Sequence, residues 1–195
     1  MKTFVTLGPN TNHSFVSERY LAFHGLDPGA LRFVADLELG ASQVRSGAVD
    51  YLIACSVHAD VPRITGRYFR DLFIVDTFIS SSKPLAIVTR TGVASPRSIG
   101  LLEPTRDYVD TSRWAEVRAE AKYSINEIWN RLLQDEYDSA LVYRELAERH
   151  PDRVRIEEVI GSPDDAWVVF GRHRVSDGKL VADGASAFRA QLIGS

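Results

Sequence analysis

The chain has 195 residues, 45% of them hydrophobic and 25% charged, with a formal net charge of -3. That length buries a real core, as one large domain or two small ones, and the composition is that of an ordinary globular protein. The charges are interspersed without a basic block to follow a phosphate backbone, and no apolar run approaches the ~20 residues of a membrane span, so neither nucleic acid nor membrane is an expected partner.

The first apolar run, Phe4-Val5-Thr6-Leu7, reads as a strand, and the loop Gly8-Pro9-Asn10-Thr11-Asn12-His13-Ser14 follows it. Ser14 is placed to cap a helix running to about His24, with Gly25 there to end it. Such a strand–loop–helix start offers free backbone N–H groups and a positive dipole end to a carboxylate or phosphate. Residues 32–35 read as a strand, 37–46 as a helix closed by Gly47, and 50–54 as a strand. Residues 72–76 and 84–88 read as two more, separated by the polar Ser80-Ser81-Ser82-Lys83. The alternation argues for α/β layers around a largely parallel sheet.

Residues 89–97 carry Gly92, Ser95 and Pro96, and read as a crossover into a second α/β unit. There, residues 99–102 and 116–123 read as strands, and Ser124 with Glu127 forms a capping box opening a helix. Its apolar positions Ile125, Ile128, Trp129, Leu132 and Leu133 share one helical face. A strand at 138–142 and a short helix at 143–150 follow; residues 153–160 then cross back, and 166–170 form a strand of the first lobe. A further short helix is expected at 185–193. The expected lobes are therefore residues 1–88 with 159–195, and the inserted 89–158.

Two lobes joined by two crossings leave a cleft, and ligands of such folds sit at strand carboxyl ends and lobe interfaces. The loops expected there (11–14, 56–60, 77–82, 103–106, 123–124 and 162–167) are rich in hydroxyls and amides, which suits a small anionic metabolite. His13 and His58 fall in these loops and titrate in the range useful for proton transfer. His24 and His150 sit near helix C-terminal ends, where a cation suits the dipole. Asp164 and Asp165 make a turn or a substrate contact, and Arg63 and Arg67 either neutralise carboxylates or are solvated. The five histidines lack ligand spacing and no phosphate-binding or dinucleotide glycine motif occurs, so neither metal nor cofactor is expected. Cys55, the one cysteine, reads as a small buried hydrophobe. The start of the sequence is too polar for a secretory leader, which makes the cytoplasm the expected compartment.

Leu7-Gly8-Pro9 with its polar loop and helix resembles the opening of the prephenate dehydratase domain, where Gly-Pro-x-Gly-Thr/Ser-Phe-Ser stands. Asp50-Tyr51-Leu52-Ile53-Ala54 is similar to that family's Asp-Tyr strand, and IGSPDDAWVVFG (160–171) to its closing stretch around Thr-Arg-Phe. The resemblance spans most of residues 3–172; Gly8-Pro9, Ser14, Asp50-Tyr51 and Pro163 match best. It implies a two-lobed type II periplasmic-binding-protein-like fold with a central cleft and two strand crossovers.

Three departures stand out. Asp165-Ala166-Trp167 replaces Thr-Arg-Phe, Val57-His58 stands in place of a Glu-Asn pair, and Thr11 stands where the first loop has glycine. A branch lacking that threonine is the prephenate decarboxylases of the bacilysin-biosynthesis type, an antibiotic pathway; Ala166-Trp167-Val168 is similar to their Ser-Trp-Ser segment at the tryptophan. The resemblance implies a carbon–carbon lyase acting on prephenate or a related cyclohexadienyl acid. In that reading Thr11, Asn12, Ser14, Ser81 and Ser82 hold the substrate, and Trp167 walls its ring. His13 or His58 delivers the proton, and Asp165 takes the catalytic threonine's place. A homodimer is compatible with this reading. A non-catalytic small-acid binding or sensing protein and a divergent dehydratase are the alternatives.

Overall fold

The computed structural model describes residues 2–121 and 123–181. The helix expected at 185–193 lies outside the described residues. Ten strands form two five-stranded sheets among the described residues. The first sheet holds β1 (Phe4–Leu7), β2 (Leu31–Val34), β3 (Tyr51–Cys55), β4 (Phe73–Ser81) and β10 (Asp164–Gly171), in the order β2-β1-β3-β10-β4. The second holds β5 (Leu85–Arg90), β6 (Ser98–Leu102), β7 (Glu116–Glu120), β8 (Ser139–Tyr143) and β9 (Val154–Gly161), in the order β7-β6-β8-β5-β9. Each sheet has two parallel and two antiparallel pairings, so neither is largely parallel as expected. The antiparallel half of each comes from the strands that flank the crossings, which enter and leave a lobe side by side.

Period-2 alternation sets the two faces of the first sheet. Val5, Leu52, Ala54, Val168 and Phe170 pack with Leu37, Ala41 and Val44 of α2 (Leu37–Ser46) and Ile64 of α3 (Asp60–Tyr68). Phe4, Ile53, Cys55, Trp167 and Val169 face Val16 and Leu21 of α1 (Asn12–Phe23). In the second sheet Ala86, Val88, Ala140 and Val142 meet Ile128, Trp129 and Leu132 of α4 (Ile125–Leu133) and Ala147 of α5 (Arg144–Arg149). Each valine, leucine, isoleucine or phenylalanine among them taken fully out of water contributes roughly 1.5–3 kcal/mol.

The chain passes between sheets at residues 82–84 and at 162–163. These crossings are tied together, the Ser82 N–H donating to the Pro163 carbonyl at 2.9 Å. The boundaries expected at 88/89 and 158/159 fall inside β5 and β9. Residues 89–97, expected to cross between lobes, instead connect β5 to β6 within the second sheet. Residues 153–160, expected to cross back, form most of edge strand β9.

Two local devices position the cleft. Thr11, not Ser14, caps α1: its hydroxyl accepts the Ser14 N–H while Ser14 Oγ accepts the Thr11 N–H, a reciprocal box that satisfies two orphan donors. Ser124 and Glu127 repeat the same arrangement at the start of α4. Both helices begin beside the gap between the sheets.

Candidate functional site

A cavity of about 240 Å³ lies between the lobes, of a size for one small molecule. Every loop expected to face the cleft contributes to it: Thr11, Asn12 and His13; Val57 and His58; Ser82; Pro104 and Thr105; Tyr123 and Ser124; Pro163 and Asp165. Leu7, Leu85, Leu102, Ile125, Tyr108 and Tyr143 make much of the remaining wall.

The polar groups are linked across the crossing. Asn12 Nδ2 donates to Ser82 Oγ at 2.6 Å, and Ser82 Oγ in turn donates to Asp165 Oδ2. Asn12 Oδ1 accepts the Lys83 backbone N–H at 3.0 Å, and the Asn12 backbone N–H donates to Tyr143 Oη at 3.0 Å. Burial pushes the Tyr143 phenol up to about 12, partly opposed by that amide. Tyr143 is therefore neutral, and since its oxygen already accepts a bond, its O–H proton is left to donate. Lys83, the lysine lining the cavity among the described residues, pairs with Glu145 at 2.7 Å.

His13 is buried, and its Nε2 accepts the Cys55 N–H at 3.2 Å, so the ring proton sits on Nδ1. Desolvation first, and the neighbouring His58 second, push its pKa down to about 3. It is a neutral imidazole at neutral pH, with Nδ1–H as its ring donor. His58 packs edge-on at 5.7 Å between ring centroids. Its pKa is lowered by burial, which outweighs the nearby Asp60 carboxylate. Its Nδ1 accepts the Asp60 N–H at 3.2 Å, leaving Nε2–H as its donor. Burial, with a smaller push from the Asp165 charge, raises the Cys55 thiol to about 11, so it is an uncharged small side chain.

Three expected contacts are not on the cavity wall. Ser14 is consumed by the cap and buried within the first turn of α1. Ser81 points to the opposite side of its strand from Ser82, and its Oγ donates to Asp164 at 2.7 Å. Trp167 is fully buried in the first lobe, edge-on to His13 at 5.1 Å and stacked on Phe78 at 6.2 Å, so it supports the cavity from beneath. Arg63 and Arg67 are engaged with Asp60 and Glu38, away from the cavity. Tyr143, Tyr108 and Lys83 were not anticipated. Tyr143 ends an apolar strand that runs straight into a helix, and the rule that ligands meet strand carboxyl ends would have pointed to it.

No protein-family model matches the chain, and no curated protein matches it in sequence. Solved structures do match. A prephenate dehydratase from Arthrobacter aurescens, in complex with L-Phe, superposes with a TM-score of 0.61 at 19% identity, over 91% of this chain and 62% of that one. The fold is prephenate dehydratase-like and periplasmic-binding-like. The prephenate dehydratase from Staphylococcus aureus subsp. aureus Mu50 gives a TM-score of 0.56 at 10% identity, covering 89% of this chain and 67% of that one. The BvgS periplasmic VFT2 domain of Bordetella pertussis gives 0.51 at 14% identity, covering 87% and 80%. The chain thus spans 62% of the Arthrobacter protein's length. Both crossings contribute to the cavity wall through Ser82, Lys83 and Pro163, and Asp165 is the second residue of β10, after the second crossing.

Proposed function

We propose that the cavity binds a small carboxylic acid and that the chain acts on it as a carbon–carbon lyase, removing carbon dioxide from prephenate or a related cyclohexadienyl acid without aromatising the ring. The observation that carries this reading is the buried, neutral Tyr143 phenol on the cavity wall with its oxygen held by the Asn12 N–H. Loss of carbon dioxide leaves an electron pair on the ring system, and a positioned acid must then protonate carbon. Tyr143 O–H is that acid. The Asn12 N–H at the positive end of α1 holds the oxygen that becomes negative as the proton leaves.

His13 Nδ1–H and His58 Nε2–H supply neutral donors for the substrate's oxygens, as does the start of α1. Asp165 stands where the dehydratases carry their threonine, and a carboxylate accepts hydrogen bonds but does not protonate a leaving hydroxyl. Incubating the full chain with prephenate and with its α-amino counterpart, and identifying products by NMR, tests the activity. The expected product from at least one of the two has lost one carbon and kept a non-aromatic ring. Aromatic products or no turnover of either acid would reject it. No turnover with tight binding of either acid would instead support a non-catalytic binding protein, which the likeness to the VFT2 domain favours.

A further inference from the structure

The charges around the cavity do not balance. Asp165, the second residue of β10, brings a carboxylate to the wall. The Lys83 ammonium on the same wall is matched by Glu145 at 2.7 Å, and its side chain is only 13% exposed. Among the described residues no cation is within pairing distance of Asp165. One oxygen, Oδ2, is taken by the Ser82 hydroxyl, which leaves Oδ1 as an acceptor. The Asp165 charge reaches groups from both lobes, since it opposes ionisation of Cys55 on one side and Tyr108 on the other. Tyr108 and Tyr143 add aromatic side chains to the same wall.

A carboxylate that lines a cavity without a cation beside it favours a ligand that brings one, since a charge-assisted hydrogen bond is stronger than a neutral one. An α-keto acid brings only negative charge to such a site. An α-amino acid brings an ammonium as well, with three donors for the free oxygen of Asp165. Its own carboxylate then reaches the start of α1, where Asn12 and His13 face the cavity.

We infer that the ligand of this cleft is a zwitterionic α-amino acid with an apolar ring, its ammonium seated on Asp165, and not the corresponding α-keto acid. This rests on the cleft being a small-acid site, as proposed above, and names which member of the class it takes.

Isothermal titration of the full chain with L-phenylalanine and with phenylpyruvate separates the two, because the probes differ only in the group meant for Asp165. The expected result is a preference of about 10- to 100-fold for the amino acid, the range of one charge-assisted hydrogen bond. Asp165→Asn keeps the shape and an acceptor for Ser82, and is expected to abolish the preference. Ser81→Ala removes a hydroxyl that bonds Asp164 outside the cavity and should keep the preference, which controls for general damage near the crossing. Equal or tighter binding of phenylpyruvate, or a preference that survives Asp165→Asn, overturns the inference and leaves the small-acid reading intact. Binding of neither probe, nor of prephenate, rejects both.

Discussion

The backbone N–H of Asn12, the first residue of α1 in one lobe, donates to the phenol oxygen of Tyr143, the last residue of β8 in the other, at 3.0 Å. A second bond, from Asn126 Nδ2 to the Asn10 carbonyl at 3.1 Å, lies beside it. The same Tyr143 that joins the lobes therefore holds the proton the proposed reaction needs.

Tyr143→Phe removes both the bridging acceptor and the proton. Turnover should fall by at least about 100-fold, the ordinary weight of a positioned acid. Leaving the Asn12 amide unpartnered costs about 1–3 kcal/mol of stability, measurable by urea unfolding. Unchanged turnover in a folded Tyr143→Phe protein would remove Tyr143 from the chemistry.

His13 makes stability depend on pH in a defined window. Its folded pKa is about 3 against an ordinary 6.5, because burial disfavours the charged ring. Between those values the unfolded chain binds a proton that the folded chain does not, so stability falls as pH drops below 6.5 and levels off near 3. The limiting slope is about 1.4 kcal/mol per pH unit. His13→Gln cannot take up that proton, so its unfolding free energy should change less between pH 6.5 and pH 4. Parallel curves for the two proteins would show that His13 is not the group responsible.

Two glycines should respond in opposite directions to alanine. A Cβ on Gly100, in β6, would lie 2.5 Å from the ring of the buried Tyr137, so Gly100→Ala forces that ring to move. A loss of about 1–3 kcal/mol is expected in thermal or urea unfolding. Gly66 sits inside α3 with no atom near its Cβ position. Gly66→Ala should therefore gain up to about 1 kcal/mol from helix propensity alone. A neutral Gly100→Ala would mean the second sheet is more loosely packed against Tyr137 than the structure shows.

What could be read from the residues was whatever local chemistry decides. Gly47 does close α2 in the left-handed region at φ 81°, and the Ser124–Glu127 box opens α4 as its spacing requires. The cleft loops were legible because they follow apolar strands and are themselves polar. Strand β9 was not, because it lies at a sheet edge with Glu157 and Glu158 adjacent, and shows neither an apolar run nor clean alternation. Ser81 and Ser82 could not be told apart in the sequence: the β4–β10 pairing sets Ser81 opposite Asp164, and Ser82, just past the end of β4, is left to reach Asp165 with its side chain. Trp167 was placed on the cavity wall because nothing in its neighbours' identity reveals that Phe78 and His13 enclose it. Tyr143 was passed over because its partner, Asn12, lies 131 residues away in the chain.

The last prediction concerns the reaction this chain should not perform. Dehydration of prephenate needs a donor for the departing hydroxyl, and the proposed reading sets Asp165 in the place of the threonine that the resemblance implies for it. Loss of one well-placed donor commonly costs about 100–1,000-fold in rate, so phenylpyruvate should be absent or minor among the products. Reading the residues alone, replacing Asp165-Ala166 by Thr-Arg restores both the donor and a cation for the substrate. The strand geometry divides those two effects. Asp165 faces the cavity, whereas Ala166 is exposed and is not part of its lining. An arginine there therefore projects away from the bound acid. Asp165→Thr should by itself give whatever trace of dehydration is recoverable, and adding Ala166→Arg should not increase it. The assay is quantitation of phenylpyruvate from prephenate by the single and double variants beside the unmodified chain. If the unmodified chain makes phenylpyruvate as its main product, the lyase reading gives way to a dehydratase that works without the threonine. If only the double variant does, the placement of residue 166 outside the cavity is wrong.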